Sequence, residues 1–176
     1  METGCIPLSW KAANINAIYK GKGNENDVSN YRPISVTFCF SKIIEKVIFK
    51  YLYNYLLECE IISKHQSGFI PGDSTVNQLL LIYHKIMDSL DKGKEVRSVF
   101  CDVSKAFDRV WHEGLLYKLE SYGIKGKLLD WFKNYLSDRK QRVLTEGIFS
   151  TFKSVNAGVP QGSVLGPFYF FYISMT

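Results

Sequence analysis

The chain has 176 residues, 46% of them hydrophobic and 22% charged. Those proportions suit a globular domain and exclude a disordered polar tract, and no apolar run reaches the ~20 residues of a membrane-spanning helix. A formal charge of +5 suits a nucleic-acid partner, although a solvated lysine surface gives the same tally.

Residues 13–19 read as a short strand, closed by the basic glycine-rich turn Lys20-Gly21-Lys22-Gly23-Asn24. Pro33 opens a second extended piece over 34–36. Phe40, Ile43, Ile44, Val47, Ile48, Tyr51, Leu52, Tyr55 and Leu56 recur at helical steps. They predict one long amphipathic helix with Lys42, Glu45, Lys46, Lys50 and Asn54 on its wet side. A second helix is expected from a capping box of Thr75 with Gln78. Its buried face is Val76, Leu79, Leu80, Tyr83, Ile86, Met87 and Leu90, and Gly93 stops it.

Residues 96–101 then read as a buried strand. Leu115, Leu116, Leu119 and Tyr122 mark a third helix, and Leu128, Leu129, Phe132, Tyr135 and Leu136 a fourth. Residues 142–145 and 149–155 flank Glu146-Gly147 as a hairpin, and a last segment over 163–173 follows a Gly-Val-Pro-Gln-Gly loop. The mixture predicts an α+β fold with helices packed on a small antiparallel sheet. Cys5, Cys39, Cys59 and Cys101 show no C-x-x-C spacing, which argues against zinc. They are expected reduced and buried. With Glu2 near the start and no basic-then-apolar leader, an intracellular protein is expected, nucleus and cytoplasm both remaining open.

The candidate chemistry centres on Val99-Phe100-Cys101-Asp102-Val103-Ser104-Lys105-Ala106-Phe107-Asp108. A carboxylate where a strand ends is a usual metal ligand, and equally a turn or helix-cap residue. An aromatic five positions later can lie under a nucleotide sugar, or serve as core. Asp108 reads as a helix cap or a second ligand. Lys20 and Arg32 flank a loop where cations suit a triphosphate, or are simply solvated. In Gly158-Val159-Pro160-Gln161-Gly162-Ser163, backbone can approach a base pair closely and Gln161 can bond to sugar or template. An ordinary turn is the alternative.

The order of the blocks is more specific than any one of them. Asn30-Tyr31-Arg32-Pro33-Ile34-Ser35 precedes Ser41-Lys42-Ile43-Ile44-Glu45-Lys46, His65-Gln66-Ser67-Gly68-Phe69 and Gly72-Asp73-Ser74-Thr75. The run from Asp102 to Asp108, Trp131 to Leu136, Arg139 to Val143 and Gly158 to Pro167 follow. This series strongly resembles the reverse transcriptase of non-LTR retrotransposons, of the jockey-like kind, over nearly the whole chain.

The resemblance implies a right-hand polymerase, fingers-like over 1–95 and a partial palm over 96–176, parts of one domain. Asp102 would be the first metal-binding aspartate and the Val103 carbonyl would help hold Mg2+. Phe107 would be the sugar-sensing gate, and Lys20 and Arg32 would meet the triphosphate. Gln161 and Gly162 would position nucleotide and template. RNA template, DNA primer and deoxynucleoside triphosphates are the implied partners, with no membrane and no small-molecule cofactor. The implied reaction is attack of a primer 3′-hydroxyl on the α-phosphate of a deoxynucleotide by two-metal phosphoryl transfer.

The family's Ala-Asp-Asp hairpin is expected after the final helix, but the chain closes on Tyr172-Ile173-Ser174-Met175-Thr176. The expectation is therefore a C-terminally truncated fragment, inactive by itself. A non-enzymatic nucleic-acid-binding remnant, a relic without function and an RNA-copying RNA polymerase are the alternatives. Phe107, which offers a sugar no polar group, argues against the last.

Overall fold

The computed structural model describes residues 4–174, with side chains as far as Tyr169. Glu2 and the closing Met175-Thr176, on which the expectations about a leader and about the Ala-Asp-Asp hairpin draw, lie outside the described residues. The elements run β1 (Ala12–Tyr19), β2 (Tyr31–Val36), α1 (Cys39–Glu58), α2 (Thr75–Asp91), α3 (His112–Ser121) and α4 (Gly126–Leu136). Then come β3 (Arg139–Thr145), β4 (Ile148–Phe149), β5 (Lys153–Val155) and α5 (Leu165–Ser174). The chain divides into two compact units: Ile62–Ser104, and the described remainder.

The larger unit holds the sheet, in the order β2-β1-β3-β4, with β5 also pairing β3. The expected α+β mixture is present. The sheet, however, is mixed rather than antiparallel throughout, because β1 and β3 pair in parallel from Ala12↔Lys140 to Asn16↔Leu144. A parallel pair needs a long crossover. The helices of this unit that lie between β1 and β3 in sequence provide it. The predicted hairpin is β3–β4, with Glu146 and Gly147 both at positive φ (50° and 80°), the backbone a tight two-residue turn requires.

The core of this unit is helical. Leu115 and Leu119 of α3 and Phe132 of α4 are wholly buried, with Ile48, Leu52 and Leu56 of α1 and Leu165 and Tyr169 of α5 around them. The predicted apolar face of α1 is only half used, since Phe40, Ile43, Val47 and Tyr51 remain exposed. Glu45 is the sharper correction: expected on the wet side, it is completely buried. Its place in the series Ser41, Glu45, Ile48, Leu52, Leu56 is the reason, because those helical steps share one stripe and every member of it is buried.

The hydroxyls of Tyr135 and Tyr169 are enclosed in this core, that of Tyr135 beside Glu45 and Ser163. Burial raises both phenols above their ordinary range, and the charge of Glu45 raises them further. The native chain therefore keeps two protons that the unfolded chain releases near pH 10. Stability contributed by these phenols is fully present below that pH and declines as pH rises above it. We expect phenolate absorbance at these positions to develop only together with unfolding. Tyr135→Phe should remove part of that alkaline loss, and an unchanged alkaline profile would contradict the assignment.

The smaller unit contains α2 and irregular chain. Ser74 caps the helix, its hydroxyl accepting from Asn77 N at 3.1 Å, one residue before the expected box. Gly93 ends it at φ 67° as anticipated. No residue of α2 is buried, contrary to the expected buried face, because this short unit has no second element of its own to lie against that stripe. The expected strand over 96–101 is irregular and open, with Val99 and Phe100 86% and 87% exposed. A strand exists only with a ladder partner, and no described strand pairs with this segment.

None of the four cysteines is paired in a disulfide, and all are exposed rather than buried. Cys39 opens α1 and Cys59 caps its far end, and helix ends reach solvent; Cys101 stands in the irregular segment. Among the described residues, no helix is long and apolar enough to cross a membrane.

Candidate nucleotide and template site

The β1–β2 hairpin carries both candidate cations. Arg32 pairs across from Ile18, and Lys20 lies just past the end of β1; both are exposed. Lys20 Nζ donates to Ser29 O at 2.7 Å, so its charge rests on the connecting loop. Within that loop Asp27 accepts from Ser29 N and Ser29 Oγ, each at 2.8 Å. These bonds hold its carboxyl below the usual range, with Lys105 and Lys20 adding to the effect.

The Gly-Val-Pro-Gln-Gly loop is fastened on two sides. Ser35 N of β2 donates to Gln161 O at 2.7 Å, which ties the loop to the strand bearing Arg32. On the other side Val159 N donates to Phe107 O and Gly158 N to Val110 O, both at 2.8 Å. His112 Nε2 donates to Gly158 O at 2.7 Å. Gln161 Nε2 reaches Asp108 Oδ1 at 3.3 Å. The structure thus gathers Phe107, Asp108, Gln161, Gly162 and β2 around one loop.

Asp108 does not cap a helix, as sequence suggested; it lies inside the 3-10 turn Ala106–Arg109, whose preceding residue Lys105 has φ 54°. Phe107 is half-buried, and its ring edge lies against the Gly166 position of α5. Beneath the loop is a cavity of about 300 Å³, with Ile15, Ser35, Asp108, Arg139 and Gln161 among its lining residues. Arg139 is buried, its Nη1 donating to Tyr135 O at 3.1 Å.

Asp102 and Val103 belong to the smaller unit, exposed on the irregular segment. Among the described residues no three His, Cys, Asp or Glu side chains gather closely enough to hold a metal ion. Sequence reasoning missed Ser35, His112 and Glu45 as supports of the loop. A signal was available only for Glu45, in the buried helical stripe it shares.

The family model for reverse transcriptase (RNA-dependent DNA polymerase) matches residues 19–175. The chain is 38% identical over 168 residues to the probable RNA-directed DNA polymerase from transposon BS of Drosophila melanogaster, covering 92% of this chain and 18% of that protein. It is 37% identical to the RNA-directed DNA polymerase from mobile element jockey of the same species, covering 95% and 18%. To the Pol polyprotein from the type-1 retrotransposable element R2 of Popillia japonica the identity is 29%, covering 95% and 23%. The chain therefore spans about a fifth of the length of these relatives.

Proposed function

Because the chain belongs to the reverse transcriptase family, in the branch found in non-LTR retrotransposons, we propose that residues 1–176 hold nucleotide and template for an RNA-directed DNA polymerase. As an isolated stretch they bind an RNA–DNA heteroduplex without extending its primer. The observation that carries this reading is the double fastening of the Pro-Gln-Gly loop, by Ser35 N to Gln161 O and by Val159 N to Phe107 O. It sets a backbone turn with a polar side chain between a cation-bearing strand and an aromatic.

In this reading Arg32 and Lys20 meet the triphosphate of a deoxynucleotide, and Phe107 lies under its sugar. Gln161 and Gly162 position nucleotide and template. Residues 1–95 act as fingers and 96–176 as part of a palm. Reverse transcriptases generally use a divalent metal. Here Asp102, with the Val103 carbonyl, is the one carboxylate proposed to approach Mg2+. Two-metal transfer needs a clamp on both the attacking and leaving oxygens. No cluster of three such ligands exists among the described residues. These residues do not fit a complete two-metal centre, and that mismatch motivates the proposed lack of extension.

The test uses a labelled RNA–DNA heteroduplex and the 176-residue chain. Heteroduplex affinity should fall steeply with salt, and Arg32→Ala should weaken the binding of a deoxynucleoside triphosphate to the chain–heteroduplex complex while leaving heteroduplex affinity largely unchanged. With magnesium and deoxynucleotides present, no primer should lengthen. Absence of binding at low salt would defeat the holding role. Magnesium-dependent extension that vanishes in Asp102→Ala would defeat the proposed incompleteness.

A further inference from the structure

We propose that Glu45 is the positioning residue of the Pro-Gln-Gly loop, locking its exit to α1 so that Gln161 and Gly162 keep their place; its effect on ligand rests on the function proposed above. Glu45 is completely buried and makes no ion pair among the described residues. Both of its carboxyl oxygens nonetheless accept hydrogen bonds. Oε1 accepts from Ser41 Oγ, one turn earlier on α1, at 3.0 Å. Oε2 accepts from Val164 N at 2.8 Å and from Leu165 N at 3.3 Å, 119 and 120 residues away in sequence.

Those two amides stand where the loop becomes α5, and the first amides of any helix lack partners within it. The remaining ones are met locally. Ser163 Oγ accepts from Gly166 N at 2.9 Å, and Pro167 has no N–H to satisfy. Ser163 Oγ also donates to Pro160 O at 2.8 Å. The loop is therefore held at its far side by Ser35, at its near side by Phe107 and Val110, and at its exit by Glu45.

A buried acidic side chain is costly unless its hydrogen bonds are complete. A purely apolar stripe on α1 would bury more readily, but it would leave the Val164 and Leu165 amides without acceptors. The geometry thus gives Glu45 a task that Leu or Ala at this position cannot perform, and one that Gln can largely perform. A glutamine oxygen can take the two amides while its NH2 group faces the Ser41 hydroxyl, which can also accept.

The experiment compares wild type, Glu45→Ala, Glu45→Gln, Ser41→Ala, Gln161→Ala and the Glu45→Ala/Gln161→Ala double variant, all in the full chain. Amide hydrogen exchange at Val164 and Leu165 is read alongside affinity for an RNA–DNA heteroduplex. In Glu45→Ala the two amides should exchange faster and affinity should fall about tenfold. Glu45→Gln should restore most of both, and Ser41→Ala, a milder change, should shift exchange in the same direction.

Because Glu45 acts through the loop, the double variant should bind no more weakly than Gln161→Ala alone. Additive losses, or unchanged Val164 and Leu165 exchange in both Glu45→Ala and Ser41→Ala, overturn the proposal. Should Glu45→Ala not fold, failure of the folded Glu45→Gln to retain wild-type protection and affinity overturns it. Faster exchange in a chain whose wild type binds no heteroduplex overturns the proposed function and leaves the locking role supported.

Discussion

Phe132→Ala should lower the unfolding free energy by about 3–5 kcal/mol. Phe132 is wholly buried in the middle of α4. Its ring meets Trp131 edge-on at 5.3 Å and Tyr169 of α5 edge-on at 6.0 Å, so it joins neighbouring aromatics across two helices. Removing it loses the transfer energy of a phenyl group and leaves a void that rigid neighbours fill poorly.

A domain of this size has a total stability of about 5–15 kcal/mol, so the variant sits close to its folding threshold. Tyr117→Ala on α3 is the control, since Tyr117 is 74% exposed and should cost about 0.5 kcal/mol or less. Urea unfolding should show a much lower midpoint for Phe132→Ala with an unchanged slope. Equal midpoints for the two variants would mean that α4 is not packed as described.

The same contrast between Phe132 and Tyr117 explains how much of the fold was legible in sequence. In α3 and α4 the apolar residues keep helical spacing, and burial follows it at Leu115, Leu119, Leu129 and Phe132. The β3–β4 turn was legible because Gly147 takes a positive φ without steric cost, between two runs of strand character. The segment around Val99 and Phe100 was not, because apolar composition sets a preference while a strand also needs a partner. The parallel pairing of β1 with β3 was hidden for a related reason: register across so long a crossover is decided by tertiary packing. At the candidate site, Gln161 and Phe107 were found by motif. What fastens them was not: Ser35 and His112 act through contacts to loop backbone that leave no local pattern, and Glu45 shows itself only by its place in a helical stripe whose other members are buried.

Gly158→Ala should destabilise the larger unit by about 2–4 kcal/mol, combining backbone strain of ~1–2 kcal/mol with weakened hydrogen bonds. Gly158 has φ 80°, a region unfavourable to any residue bearing a Cβ. A Cβ there would stand 2.8 Å from Asp108 O and 3.0 Å from Asp108 C and Cα. Those are backbone atoms, so no side-chain rotation relieves the clash and the loop must move off the Ala106–Arg109 turn. The bonds Gly158 N to Val110 O, Val159 N to Phe107 O and His112 Nε2 to Gly158 O all lie across that junction. Gly21→Ala separates the two causes. Its φ of 76° is nearly the same, but nothing lies within 4 Å of the added carbon, so strain alone remains. Denaturant unfolding should therefore show Gly158→Ala losing clearly more than Gly21→Ala, with faster amide exchange at Val159. Equal losses would mean that the loop is not pressed against Asp108. If Gln161 holds template through this loop, heteroduplex affinity should fall in Gly158→Ala under conditions where the variant is still folded.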